Sequence, residues 1–385
     1  MSRATALLLP ALLVACGDER ENIADVEVTP VETSLGDTND AAPEPEVDDA
    51  TPTGCPPGSD GCSAIDWLQA DDHPRATDHH TTHLQTSAAG TFLYVIGGAT
   101  MSDDLAVFDE VRRAPIEGGG LVGAWQDEPA LPLPLAFHGQ AVHGDRVYLA
   151  GGLSTDADGP FATNVALVGS VDDDGHLTFA RTTALPAEAR VHPTAHALHD
   201  RLVVVGGTAQ APIDTTRVAD IAADGELGAW RAGPTLPTPR SHHAGVVRGD
   251  RIWIFGGFDE ENAPLPTILR STHDATGEPT GWEVVGTMDD PPWTHAATLY
   301  RDGVLLVGGG QGGPGAEVYV DRMRWARLTD DGLAGPFVDA VNPLPRARSH
   351  VHQAPIHAGF IYSVGGRNGR TYTSIRDVYV GYLAF

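Results

Sequence analysis

The sequence predicts an all-β fold, a β-propeller of six four-stranded blades whose ring is closed by pairing of the N-terminal strand with the C-terminal blade. Three observations carry this prediction. Six apolar runs end in a glycine pair, at 97–98, 151–152, 206–207, 256–257, 308–309 and 365–366. Short Gly- and Asp-containing turns join consecutive apolar runs, which is typical of hairpins. The chain has 45 glycines and 29 prolines but only 6% aromatic residues, as many short strands require.

The repeat is 50 to 57 residues long, and each copy reads as four strands. The second strand is an uninterrupted apolar run, such as Ile252 to Phe255, because a middle strand between packed blades is buried on both faces. The glycine pair follows where the chain turns sharply near a crowded axis, since glycine accepts positive φ and has no Cβ to clash. An aromatic residue opens the fourth strand, at Trp125, Phe179, Trp230, Trp282 and Phe337.

The two ends of the repeat array complement each other. After Gly366 the chain offers a single strand, so the sixth copy lacks its fourth. Residues 64–80 carry the fourth-strand signature, Trp67 followed by Pro74, without three strands before it. We therefore predict that this N-terminal strand completes the sixth blade and leaves no open edge.

The first 54 residues predict export and tethering. Arg3, an apolar run and small residues before Cys16 form a signal peptide over residues 1–15. The "LVAC" motif resembles the lipobox of bacterial lipoproteins, which implies acylation of Cys16 and an outer-membrane lipoprotein of the cell envelope. An ordinary secretory signal is the alternative. Residues 16–54 are acidic without apolar periodicity, which predicts a disordered tether before a propeller at 55–385.

Cysteine content and charge limit the chemistry further. Outside the cytoplasm, Cys55 and Cys62 around a Pro/Gly turn predict a local disulfide, with a two-cysteine metal site as the alternative. The chain has 24 basic and 52 acidic residues, for a net charge of −28, and every basic residue is arginine. The absence of lysine excludes Schiff-base catalysis. The acidic surface disfavours nucleic acid as a partner. No cofactor is predicted.

The repeat resembles the kelch repeat, and the resemblance covers residues 65–385. It implies that the innermost strands line a central channel, with a histidine near the start of each strand at the channel mouth: His83, His138, His192, His243, His295 and His352. Six imidazoles near one axis could bind a transition metal or shuttle protons. Hydrogen bonding to the adjoining blade is the alternative, and because buried polar groups must be paired we favour it and predict no metal site.

Arginines precede several of these histidines, at Arg190, Arg240 and Arg348, with Arg75 on the N-terminal side. Such guanidinium groups could hold a carboxylate or a sugar acid. Bridging between blades, to the many acidic residues, is the alternative that we favour.

The leading hypothesis is a lipid-anchored, extracytoplasmic binding module for a protein or glycan partner. Its ligand would lie on loops that differ between blades, at 99–104, 153–163, 208–216, 258–267, 310–316 and 367–373. The alternative is a carbohydrate-active enzyme resembling the sialate mutarotases, or a metal-dependent enzyme using the histidines. An enzyme would need a deep channel in which an acidic side chain and a histidine converge. The resemblance to sialate mutarotases implies an acid and an arginine at the channel.

Overall fold

The computed structural model describes residues 65–101, 105–186, 188–340, 342–369, 371 and 373–383. The predicted signal peptide, the acylated Cys16, the tether and the Cys55–Cys62 disulfide lie outside the described residues. Within the described ranges no helix is long and apolar enough to cross a membrane.

The described chain forms six antiparallel sheets of four or five strands, which we number as blades 1 to 6, and four two-stranded sheets. The prediction of an all-β, six-bladed propeller is confirmed. Blade 1 contains Thr81–Ser87, Gly90–Ile96, Val111–Pro115 and Gln126–Asp127. Blade 2 contains Gly139–His143, Arg146–Ala150, Ala166–Val171 and Leu177–Arg181. Blade 3 contains Thr194–Leu198, Arg201–Val205, Thr216–Asp220 and Arg231–Ala232.

Blade 4 has the same four strands, whereas blades 5 and 6 differ in the number or origin of their strands. Blade 4 contains Ala244–Arg248, Arg251–Phe255, Thr267–His273 and Pro279–Thr287. Blade 5 contains Ala296–Tyr300, Gly303–Val307 and Met323–Thr329, with Gly332–Leu333 and Val338–Asp339 both paired to the third strand. Blade 6 contains Ile356–His357, Phe360–Val364 and Val378–Leu383, and its outermost strand is Ile65–Ala70.

The strand Ile65–Ala70 runs antiparallel to Val378–Leu383, with Ile65 opposite Leu383 and Ala70 opposite Val378. Ile65 is completely buried, and its carbonyl accepts a 2.9 Å hydrogen bond from the Asn342 side chain. The segment before the first blade thus supplies the last strand of the sixth blade.

Short secondary structure also occurs in the connections. One 3-10 turn spans Gly118–Gly120. Two-stranded hairpins follow the glycine pairs of three blades: Ala99–Met101 with Leu105–Val107, Leu153–Asp156 with Gly159–Ala162, and Gly310–Gln311 with Val318–Tyr319. In blade 6 the corresponding segment, Arg367–Asn368, pairs instead with Arg348–Ser349.

Each glycine pair joins two blades. All twelve glycines have positive φ, between 56° and 68° for the first of each pair and between 84° and 109° for the second. The second glycine donates its N–H to a carbonyl just before the first strand of the next blade. In sequence, these acceptors are Leu135, Arg190, Arg240, Pro292, Arg348 and Thr77. Six equivalent hydrogen bonds therefore link the blades in a ring.

The apolar cores lie between neighbouring blades. Between blades 1 and 2, for example, Tyr94 and Ile96 pack with Val147 and Leu149, all completely buried. Tyrosines on the second strands add polar links at three junctions, where the hydroxyls of Tyr94, Tyr148 and Tyr362 donate to turn carbonyls of the next blade at 2.7, 2.9 and 3.0 Å.

Candidate functional site: the axis and the loop face

Strand direction divides the propeller into two faces. Because consecutive strands of a blade are antiparallel, the connections from second to third strand and from fourth to first strand emerge on one side, which we call the loop face. The connections from first to second and from third to fourth strand emerge on the other side, which we call the opposite face. The first strand of every blade starts at the loop face.

The chain of every blade passes close to the axis just before its first strand. Six residues with φ between 44° and 60° lie there, and we call them the axial ring: His79, Phe137, His192, His242, Thr294 and His350. Five backbone hydrogen bonds of 2.8 to 3.3 Å link members of this ring from blade to blade. Positive φ is uncommon at non-glycine residues and strains the backbone. The hydrogen bonds between neighbouring members of the axial ring hold these residues in this conformation.

The side chains of the axial ring fill the axis. The His79 ring stacks on Phe137 with 3.7 Å between centroids, and His192 stacks on His242 at 3.6 Å. None of the six residues is more than 3% exposed. A buried aromatic cluster of Phe258, Trp293 and Tyr319 lies beside them.

The channel is therefore closed on the loop-face side. The stacked side chains fill the place where the second-to-third-strand loops form the predicted channel mouth, and ligand binding by the predicted histidines stays a prediction.

The structure places the six predicted histidines in four different positions. His192 belongs to the axial ring. His138, His243 and His295 come one residue after it in their blades, and His352 comes two residues after His350. His83 lies within the first strand of blade 1, where its Nε2 is 3.1 Å from Gln85 Oε1. The sequence pattern missed His79, His242 and His350, whose shared signal is a position 14 to 18 residues before the glycine pair.

Two of the predicted histidines link blades. His138 Nε2 lies 3.0 Å from the hydroxyl of Thr81 in blade 1, and His243 Nε2 lies 2.9 Å from the hydroxyl of Thr194 in blade 3. Burial lowers the pKa of His138 to about 3 and holds the pKa of His243 well below its usual range. Both imidazoles are consequently neutral at pH 7, which suits hydrogen bonding between blades.

The three predicted arginines also connect blades, and they do so from buried positions. Each guanidinium Nη1 of Arg190, Arg240 and Arg348 donates to the carbonyl of the first glycine in its own blade's pair, at 3.1, 2.8 and 2.9 Å. Each arginine's own carbonyl accepts the N–H of the second glycine of the preceding blade, at 2.7, 2.9 and 2.9 Å. Burial lowers the pKa of all three to about 10.

The main acceptors of these arginines are thus backbone carbonyls rather than acidic side chains. Carboxylates play a secondary part, with Glu188 Oε2 2.7 Å from Arg190 Nη2. Arg75, in contrast, is exposed and forms an ion pair with Glu110. None of the three buried guanidinium groups reaches the channel lining described next.

Below the axial ring, the first strands of blades 2, 3 and 4 line a cavity of about 220 Å³, together with Ala297 of blade 5 and the segment before blade 6. Its polar lining includes His138, Gln140, His196, His243, His352 and Gln353, between small residues such as Ala195 and Gly245. Val142 at the far end of a first strand is 43% exposed, so the channel approaches solvent on the opposite face. Of the described residues, the lining includes no carboxylate and no arginine. The acid and arginine that a mutarotase-like enzyme requires do not converge here.

One group of side chains could hold a metal ion. The ligand nitrogens of His79, His192 and His352 lie within 4.8 Å of one another where the axial ring meets the cavity. Imidazole is a common ligand for zinc and for several other transition metals.

The loop face is acidic. Its exposed carboxylates include Asp71, Asp109, Asp156, Asp158, Glu260, Glu261 and Asp289. Its exposed described arginines are engaged in ion pairs, Arg75 with Glu110, Arg346 with Asp377 at 2.7 Å, and Arg376 with Asp72 at 2.9 Å. This surface favours a cationic partner.

Comparisons with known proteins agree with the repeat pattern. No protein-family model matches the chain. Kelch-like protein 33 of Homo sapiens is 29% identical over 193 residues, which cover 46% of this chain and 33% of that protein. Kelch domain-containing protein 10 of Xenopus laevis is 30% identical over 161 residues, covering 37% of this chain and 36% of that protein. The matches span well under half the length of these curated relatives.

A solved structure shares the fold. The structure of YjhT superposes with a TM-score of 0.61 at 11% sequence identity, covering 80% of this chain and 95% of that one. At this identity the likeness shows the architecture alone. The glycine-pair repeat, the six blades and the similarity to kelch proteins together fit a kelch-repeat β-propeller family.

Proposed function

We propose that this protein is a binding module that docks a positively charged protein partner on its loop face, and that an N-terminal lipid holds it in the cell envelope. The observation that carries the proposal is the combination of a rigid ring with acidic loops that differ between blades. The blades are locked by equivalent glycine hydrogen bonds, whereas the connections after the glycine pairs differ in length and composition. Variable loops on a fixed scaffold are where binding specificity usually lies.

The kelch-repeat fold supports an interaction role, because kelch propellers typically bind proteins. In this chain the closed axis leaves the loop face as a continuous surface rather than the entrance to a pocket, since the axial ring is at most 3% exposed. Exposed Asp156 and Asp158 on blade 2 and exposed Glu260 and Glu261 on blade 4 provide four negative charges on that surface.

The position of the first strand supports an anchored arrangement. Ile65 pairs with Leu383 at the opposite face, because the outermost strand of a blade runs from that face towards the loop face. A tether attached before Ile65 would therefore leave from the opposite face. The loop face would then point away from the membrane and towards a partner.

Photo-crosslinking in the cells that make the protein tests this proposal. A benzophenone amino acid is placed in the full-length chain at three exposed alanines of the loop face, Ala157, Ala211 and Ala316. Matched controls carry it at three exposed alanines of the opposite face, Ala89, Ala222 and Ala334. We expect adducts with one discrete protein from the loop-face positions, weakened by added salt because exposed charges are screened.

Two results would contradict the proposal. Adducts only from the opposite-face positions would move the binding surface, and adducts to glycan rather than protein would change the partner class. The anchor is tested separately with Cys16→Ser, which should transfer the protein from the membrane fraction to the soluble fraction. Retention of this variant in the membrane fraction would reject the lipid.

A further inference from the structure

Three histidines from three blades converge where the axial ring meets the channel. The ring centroids of His79, His192 and His352 form a nearly equilateral triangle with sides of 5.1, 5.7 and 5.8 Å. Their ligand nitrogens lie within 4.8 Å of one another. We propose that these three imidazoles bind one divalent transition-metal ion at the propeller axis. This site is separate from the loop face, and the proposal goes beyond the docking function.

The geometry is close to that of a three-histidine metal centre. Zinc–nitrogen bonds of about 2.0–2.1 Å with tetrahedral angles place ligand nitrogens roughly 3.3 Å apart. The observed separation of at most 4.8 Å closes to that value if each ring moves inward by less than about 1 Å. His352 is the adaptable member, because it is only partly buried and lies outside the strained ring.

The neighbours of His79 fix the orientation of its ring in a way that suits metal binding. Its Nδ1 contacts Asp78 Oδ1, and both side chains are fully buried. The other carboxylate oxygen of Asp78 accepts hydrogen bonds from Arg367 Nε at 3.2 Å and Ser374 Oγ at 2.7 Å. A carboxylate behind one ring nitrogen fixes the tautomer and orients the other nitrogen, an arrangement that recurs at zinc sites. Here that other nitrogen is Nε2.

Two nitrogen atoms of these histidines have no hydrogen-bond partner in the described part of the protein. His79 Nε2 and His352 Nε2 are both buried without one. Leaving a buried polar atom unpaired is unfavourable, because the atom loses its hydrogen bonds to water without replacement. A metal ion would satisfy both atoms at once, whereas a purely structural role for these histidines leaves them unexplained.

The protonation state also suits a metal. Burial holds the pKa values of His79 and His192 well below the usual range and lowers the pKa of His352 to about 4. All three are neutral at pH 7, and only the neutral imidazole has a lone pair to donate. No proton has to be displaced before binding.

The channel supplies an open coordination position. His352 also lines the cavity of about 220 Å³ that extends towards the opposite face. A metal on three imidazoles would have its fourth position towards this space, where water or a small anion fits. Three protein ligands with one open position are typical of reactive rather than structural zinc sites. Imidazole ligation favours Zn²⁺, Ni²⁺ or Cu²⁺ over Mg²⁺ and Ca²⁺.

Zinc titration of the full-length protein tests the site. The chain is purified without a histidine tag, stripped with EDTA, and titrated with Zn²⁺ against a chromophoric chelator. We expect one tight equivalent per chain. His352→Ala should weaken this binding at least about a hundredfold, since loss of even an outer-shell partner costs about 10–100-fold. His196→Ala, which changes a histidine of the same cavity wall, should leave the affinity unchanged within about twofold.

X-ray absorption of the zinc-loaded wild-type protein gives a readout that does not depend on how a variant folds. We expect three imidazole nitrogens at about 2.0–2.1 Å from the metal. The proposal is overturned if no tight equivalent of Zn²⁺, Ni²⁺ or Cu²⁺ binds, if His352→Ala binds zinc as tightly as the wild type, or if fewer than three imidazoles surround the metal. Any of these results would leave the loop-face proposal intact.

Discussion

Each glycine pair satisfies two steric demands at the same point. The first glycine of the blade 4 pair, Gly256, has φ +59°, a conformation that costs residues with a Cβ roughly 1–2 kcal/mol. A Cβ there would also lie 2.0 Å from the Pro292 carbonyl oxygen of the next connection. Backbone conformation and blade-to-blade contact both exclude a side chain. The same combination explains why the sequence repeats this dipeptide in every blade.

Gly256→Ala and Gly249→Ala separate these two effects. Gly249 has φ +60°, but a Cβ at this position would meet no other atom within 4 Å, so it shares the backbone cost without the clash. We expect Gly249→Ala to lower the free energy of unfolding by about 1–2 kcal/mol and Gly256→Ala by at least about 2 kcal/mol more. Urea unfolding of both variants measures the difference. Equal losses would show that the inter-blade contact contributes nothing.

At the residue scale, the sequence did not identify which histidines lie at the axis. The glycine pairs have one residue type at one structural position, so spacing alone located them. The axial position is defined by a positive φ and by backbone hydrogen bonds to the axial residues of neighbouring blades. Four histidines, a phenylalanine and a threonine occupy it. Choosing a histidine about 13 residues before each pair therefore selected His243 instead of His242. A one-residue offset moves a side chain from the axis to a blade junction.

At the scale of elements, the N-terminal strand completes the sixth blade. Ile65 packs with Leu305 and Ile361, and the Trp67 indole N–H donates to Asn342 O at 3.3 Å. Gly381 in the neighbouring strand makes room for both, since a Cβ there would lie 2.8 Å from Ile65 and 2.9 Å from Trp67. The sequence predicted this location because Trp67 and Pro74 repeat the spacing of other fourth strands. It did not predict the register, which depends on these side-chain contacts.

Two N-terminal truncations measure the contribution of this strand. Removal of residues 1–63 keeps Ile65–Ala70, whereas removal of residues 1–70 exposes the edge of Val378–Leu383. The shorter deletion should retain the unfolding midpoint of the full chain. The longer one should lose several kcal/mol, about 1.5–3 from Ile65 alone, and should self-associate through the open edge. Identical midpoints and a monomeric longer deletion would refute a stabilising role for the strand.

For the whole molecule, the buried histidines couple stability to pH. Burial lowers the pKa values of His80, His138, His196 and His295 to about 3, against about 6.5 in an unfolded chain. Between these values the unfolded state binds more protons than the native state. Stability is therefore complete above pH 6.5 and decreases as the pH falls. At pH 5 each such histidine removes about 2 kcal/mol.

We expect the protein to unfold at mildly acidic pH, because a few such losses equal a typical total stability of about 5–15 kcal/mol. The urea midpoint should change little between pH 7.5 and 6.5 and decrease markedly between pH 6.5 and 5.5. His295→Gln should reduce the slope by about one proton. A wild-type midpoint that does not change between pH 7.5 and 5.5 would contradict this expectation.

The antiparallel pairing of Ile65–Ala70 also determines how the propeller resists mechanical force. Hydrogen bonds of an antiparallel ladder are perpendicular to the strands. A force applied to the chain before Ile65, directed away from the opposite face, acts parallel to this strand. All the paired residues from Ile65–Leu383 to Ala70–Val378 therefore bear the force together, and they do not separate one pair at a time. A protein held by its N-terminal side while a partner pulls on the loop face would carry that load in shear, the stronger direction of a β-ladder.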